Sequence, residues 1–381
     1  MKLRILIAAA LVALVAGLLM QAARRRSNET QSTPLPAVTE PIGADAANTS
    51  GATTGQETAP RSKPAVAATP APASRTPGLA SSTNWMDSLF GTNGATSELP
   101  REVFDRWLAS GRTNAEDLLA ARQAGGGKEF LRRALTNFPH DPRVLLAATA
   151  LDDGPEAQRE RLDRFKAAAP DNAMADYLSA RDHFQNGRPE QAVTELLVAS
   201  GKSGFNDYTI DSMQNTEELY LQAGKSPAEA KALATASALL PQMAHFRELA
   251  RDMAALQEKY LAAGDPASVE RLAQLGWFMG ERLGNSEGSR TLIGQLVGIA
   301  AQRTILAPLD QQKRYEFLQG TVPEYLAQLD QRRDAVRAST QFYEQWMRQA
   351  SEQELISYFD RVKLYGEAEA LKWMRQRMDP R

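Results

Sequence analysis

Only three histidines, His140, His183 and His245, are available for proton transfer or metal ligation in this chain of 381 residues. None has a second ligand at the spacing of a helical zinc site, where two imidazoles one turn apart share a face. His140 sits in a turn beside Asp141 and reads as a solvated turn residue. His183 falls at a helix-packing position, and His245 on the edge of an amphipathic helix next to Phe246. Two Gly-Lys-Ser triplets, Gly201-Lys202-Ser203 and Gly224-Lys225-Ser226, would cradle a phosphate only with a glycine five residues earlier and a strand before it. Those positions hold Leu196 and Leu219, so both triplets read as helix-ending turns. Gly125-Gly126-Gly127 lacks the strand–turn–helix setting of a dinucleotide site, and no G-x-S-x-G elbow occurs. The absence of cysteine excludes thiol nucleophiles, thiolate zinc sites, iron–sulfur clusters and disulfide scaffolds. A non-enzymatic protein without a cofactor is the expectation.

The 44 basic and 46 acidic side chains nearly cancel, so nucleic acid, which needs a basic face, is not an expected partner. The amino terminus carries a positive signal. Lys2 and Arg4 precede an apolar run over residues 5–20, which Gln21, Ala22 and Ala23 extend to Arg24, Arg25 and Arg26. A hydrocarbon layer of about 30 Å takes about 20 such residues. Residues 5–23 therefore read as a single-pass membrane anchor, and 1–26 as the anchor with its basic flanks. A cleaved secretory signal is the alternative, opposed by the poor exit Met20-Gln21-Ala22 and by the arginine triplet behind it. Flanking charge nearly ties the two orientations; the long spacer that follows favours an extracytoplasmic, periplasm-like placement of the remainder.

Residues 27–97 are rich in Pro, Ala, Thr, Ser and Gly and have no aromatic residue before Trp85. Such a segment cannot bury enough apolar surface to offset its ordering entropy, and it reads as a disordered linker. The cluster Trp85-Met86-Asp87-Ser88-Leu89-Phe90 interrupts it. It reads as a short helix docking on the domain that follows, or as a linear motif presenting Trp85, Met86, Leu89 and Phe90 to a partner.

From residue 98 onward, helix punctuation recurs. Thr113-Asn114-Ala115-Glu116 and Ser226-Pro227-Ala228-Glu229 carry capping signatures, while Asp141-Pro142 and Asp265-Pro266 place a cap ahead of proline at the first helical position. Runs of alternating β-branched residues are absent, so the spacing predicts an all-α domain without strands. The turns around Pro139-His140-Asp141-Pro142 and Pro170-Asp171-Asn172-Ala173 lie 31 residues apart and join helices of about a dozen residues. That is the pattern of stacked helical hairpins.

Over residues 114–204 the chain resembles the tetratricopeptide-repeat family. Ala180, Ala192 and Ala199 fall on its small-residue positions, Leu196 on a large packing position, and Asn186-Gly187-Arg188-Pro189 on its inter-helix turn. Asp176 stands where the family has Trp, His183 where it has Tyr, and Leu178 replaces an asparagine that some members use to clamp a peptide carboxylate. The resemblance implies an α-solenoid over residues 98–240, with a concave groove for a protein or peptide lined by Met174, Tyr177, Arg181 and Phe184. The opposite reading of those residues is core, covered by later helices.

Residues 241–381 read as longer helices packed on that region. Phe246, Leu249, Met253, Leu256 and Tyr260 form one stripe. Gly276-x-x-x-Gly280 and Gly294-x-x-x-Gly298 suit close helix crossings. Residues 323–350 read as one long charged helix whose second heptad seam is broken by Arg333 and Thr340. The functional expectation is a membrane-tethered, non-catalytic interaction scaffold. The alternatives are a purely architectural envelope component or an enzyme with no local motif. Partner identity and oligomeric state have no signature in these residues.

Overall fold

Asn114, Asp141, Asn172, Ser226 and Ser351 each turn a side-chain oxygen onto an amide of the first helical turn; the box expected over Thr113–Glu116 is shifted by one residue, with Asn114 as the cap and Asp117 as its partner. The computed structural model describes residues 99–378, apart from 239, 286–289 and 341. The expected anchor at 5–23, the linker at 27–97 and the motif Trp85, Met86, Leu89 and Phe90 lie outside the described residues. Among the described residues no helix is long and apolar enough to cross a membrane.

The described region is an all-α, helical-repeat-like domain. Its first helices are short: α1 (Arg101–Ala109), α2 (Ala115–Ala121), α3 (Lys128–Asn137), α4 (Pro142–Ala148), α5 (Pro155–Ala168), α6 (Ala173–Gln185) and α7 (Pro189–Gly201). From α2 to α7 each helix packs on the next, with α6 and α7 the closest pair. Two more, α8 (Thr209–Gln222) and α9 (Pro227–Ala236), then fold back, and α8 lies against α2. Long helices follow: α10 (Pro241–Ala262), α11 (Pro266–Asn285), α12 (Leu292–Leu306) and α13 (Val322–Thr340). After the short α14 (Tyr343–Gln349), the hairpin α15 (Glu352–Tyr365) and α16 (Glu367–Met378) packs on α9 and α13.

Two expectations are corrected. Arg314–Tyr315 pairs antiparallel with Gly320–Thr321 around a single 3-10 turn, so the all-α domain carries one minimal ladder. Two residues per strand are too few to leave an alternating pattern. The long helix expected over 323–350 is instead two helices, α13 and α14. The break turns Trp346 and Met347 into a second core with Val336, Tyr358 and Met374. Gly276, Gly280 and Gly298 lie at a close crossing: a Cβ on Gly298 would stand 2.5 Å from Gly280 O, so only glycine lets α11 and α12 cross there. The largest core runs from Leu145 to Leu329 and includes Met174, Phe246, Met253 and Ile305. It therefore continues across the 240/241 boundary expected from sequence.

Candidate functional site

The face of α6 expected to line an open groove is filled by this chain itself. Met174 is 0% and Tyr177 1% exposed. The Tyr177 ring meets Phe246 of α10 edge-on, with centroids 5.9 Å apart, and Phe205 at 6.3 Å. Arg181 Nε donates to Glu248 of α10 at 2.7 Å, and Phe184 packs partly buried against the main core. The apolar stripe of α10 needs an apolar partner, and this face of α6 supplies one. Arg282 of α11 closes the arrangement. It donates to Tyr177 Oη at 3.3 Å and to the carbonyls of Ala199, Ser200 and Lys202, which end α7. Burial, opposed by Arg282, pushes the Tyr177 phenol up to about 12.

The departures from the repeat pattern form a charged cluster between α5, α6 and α7. Asp176 is fully buried, with Lys202 Nζ 2.5 Å and Lys166 Nζ 3.8 Å away. Burial raises its carboxyl above the ordinary range although both lysines oppose this. Lys166 also holds Glu195 at 2.7 Å. His183 lies 3.3 Å from Arg159 and 3.9 Å from Glu195; burial and then Arg159 push its imidazole down. Asp176 thus has two lysines at ion-pair distance, while its two carboxylate oxygens and His183 Nδ1 are buried without a hydrogen-bond partner. Among the described residues no group of three or more His, Asp and Glu side chains is placed to hold a metal ion.

One hairpin upstream the corresponding positions border a cavity. Adding the 31-residue spacing in reverse carries Met174, Tyr177 and Arg181 onto Arg143, Leu146 and Ala150, and all three line a cavity of about 110 Å³. From α2 it receives Glu116, Leu119 and Ala120, and from the turn that follows Arg122 and Gln123. The first turn of α8 closes the other side with Tyr208, Thr209, Asp211 and Ser212.

Local structure explains these positions. After α2 the helix widens into a π turn over Arg122–Gly126, ended by Gly125 and Gly127 at φ 98° and 93°. The extra residue re-aims Arg122 and Gln123, and π turns of this kind concentrate at functional sites. Across the cavity, Tyr208 adopts φ 56°, a left-handed conformation costly for a bulky residue. A polar lattice holds it there. Asn172 donates to Asn206 O at 2.8 Å and accepts from Asn206 N at 3.0 Å. Asn206 Oδ1 accepts from Tyr208 N at 2.8 Å, and Asp207 Oδ1 from Thr209 N at 3.0 Å. The segment passes so close that a Cβ on Gly204 would stand 2.7 Å from Asp171 O.

The ionic groups of the cavity are unevenly satisfied. Arg143 is bound by Asp141, with Nη2 to Oδ2 at 2.6 Å, and by Glu116. Burial works to raise the Asp141 carboxyl, but Arg143 and the amides of Arg143 and Val144 hold it below the ordinary range. Ser212 donates to Gln123 Oε1 at 2.5 Å, which fixes the amide orientation. Arg122 has no side-chain hydrogen bond and no ion pair among the described residues, and its Nε is buried. Burial pulls its guanidinium down, with only the more distant Glu129 opposing. Gln123 Nε2 and Thr209 Oγ1 are likewise buried with no partner.

Comparison with protein-family models, curated proteins and solved structures returned no match to this chain. Sequence reading missed the cavity because Arg122, Gln123 and Thr209 belong to segments 86 residues apart that only the fold-back of α8 joins. The repeated turn was the one signal pointing toward Arg143 and Leu146.

Proposed function

We propose that this chain is a non-catalytic helical scaffold of tetratricopeptide-repeat type, tethered to a membrane through residues 5–23 and displayed on the extracytoplasmic side. With the α6 face filled by α10, its partner surface is the outer side of the last hairpin, α15–α16. The observation that carries this is an alternating stack of cations and rings. Arg361 lies 5.9 Å from the Tyr365 ring and 4.9 Å from Trp373, and Arg377 lies 5.2 Å from Trp373. Leu364 and Tyr365 beside it are 64% and 56% exposed, far more than a core hairpin needs. Arg361, Arg375 and Arg377 have no carboxylate at ion-pair distance among the described residues, and aromatic, Met and Arg side chains are the groups that concentrate binding energy at interfaces. The complementary partner is a protein with an apolar patch rimmed by acidic residues.

Cross-linking pull-down from solubilised membranes tests this. The double variant Leu364→Asp with Tyr365→Ser is expected to lose a partner recovered by the wild type, at an unchanged melting temperature. Arg181→Ala is expected to keep the partner and melt earlier, because Glu248 loses its ion. Retention of the partner by the double variant would overturn the proposal. Alkaline carbonate extraction should leave the chain in the membrane pellet, whereas release would mean the apolar segment is cleaved. Protease added to spheroplasts should digest the domain.

A further inference from the structure

We propose that Trp85, Met86, Leu89 and Phe90 dock within the same chain, in the seam between α1 and α8, and so fix where the membrane-side segment leaves the domain. The point of entry is the first support. Leu99 is buried in a satellite core with Phe104, Trp107, Leu219 and Tyr220, so the residues before it start at the edge of that core. Only residues 91–98 separate Phe90 from Leu99, a reach of about 30 Å at full extension. A segment on so short a tether is held at roughly millimolar effective concentration around Leu99 and stays docked on modest affinity.

The edge it meets is incompletely covered. Val103, Leu108 and Ala223 at the rim of this core are only partly buried. Between α1 and α8 a recess of about 80 Å³ is lined by Val103, Arg106, Leu219 and Gln222. A cavity of roughly 150 Å³ takes a benzene ring, so the smaller recess takes the aliphatic chain of Leu89 and leaves the rings of Trp85 and Phe90 along the rim. At helical spacing these residues and Met86 share one face, and Asp87 lies at its edge. Asp87 is the single charged residue between Arg75 and Glu98. Arg106 is exposed at the mouth of the recess. Its Nε donates to the Glu102 carbonyl, and no carboxylate stands at ion-pair distance from it among the described residues. The two charges are complementary across the seam, whereas a free apolar face on the tether would be an association hazard.

The chain has no cysteine, so an engineered pair reports the contact alone. The full-length protein in detergent micelles, carrying Ser88→Cys and Gln222→Cys, is treated with a short bis-maleimide. A cross-link within one chain is expected. Adding Trp85→Ser and Phe90→Ser should slow it at least tenfold, because a tether that only collides with the surface would keep its rate without the rings. Asp87→Arg should slow it as well, and Arg106→Asp added to Asp87→Arg should restore it. An unchanged rate without the rings, cross-links between chains in place of within them, or failure of the charge exchange to restore the rate would each overturn the proposal. No cross-link within the chain, with a membrane partner recovered only when the rings are present, would assign the motif to that partner instead. The scaffold reading is tested at Leu364 and Tyr365, so its failure and this one are separable.

Discussion

Glu281 and Arg122 are both half-buried ions, and their surroundings assign them opposite consequences. Glu281 Oε1 accepts from Gln302 Nε2, Tyr325 Oη and Arg332 Nη1, each at 2.9 Å. Burial alone would raise its carboxyl, but these donors outweigh it and hold it below the ordinary value of 4.5. A carboxylate depressed in the folded state contributes stability above its unfolded pKa and loses it as pH falls through the folded one. Glu281→Gln is therefore expected to cost about 1.5–3 kcal/mol at neutral pH, the range for hydrogen bonds to a charged group. The gap to wild type should narrow below pH 4.5. Urea denaturation at several pH values checks this, and a gap independent of pH would refute it.

Between helices, the crossing of α11 and α12 depends on the absence of side chains. A methyl on Gly298 would meet a backbone carbonyl of Gly280, which cannot swing aside as a side chain does. Gly298→Ala is expected to destabilise by about 1–3 kcal/mol through overpacking, even though alanine favours a helix by about 1 kcal/mol. Gly201→Ala is the matching control. A Cβ there meets nothing within 4 Å, so it should be neutral or mildly stabilising. Denaturation midpoints of the two variants should move in opposite directions or only the first should move. Gly298→Ala as stable as wild type would show that α11 and α12 are not held at this distance.

For the whole molecule, the continuous core from Leu145 to Leu329 predicts one cooperative unit rather than a repeat domain with a separable C-terminal part. Residues 99–381 are expected to melt in a single cooperative transition without the segments before them. Residues 99–240 alone are not, since removing α10 and α11 uncovers Met174 and Tyr177 and strips the carbonyls of α7 of Arg282. Circular dichroism of both fragments decides it, and cooperative melting of the shorter one would contradict the single-core reading.

Local rules were legible in the sequence because they act over a few residues. Asn114, Asp141, Asn172 and Ser226 cap helices through amides two or three residues away, and the glycine pairs announce a close crossing within one turn. The stripes on α6 and α10 were each visible, yet nothing in either says that they face each other. That pairing was decided by the tertiary structure, because apolar burial has no direction and any matching face would serve. The same holds for the cavity. Arg122, Gln123 and Thr209 come to line one space only when α8 returns beside α2, a relation carried by no spacing in the chain.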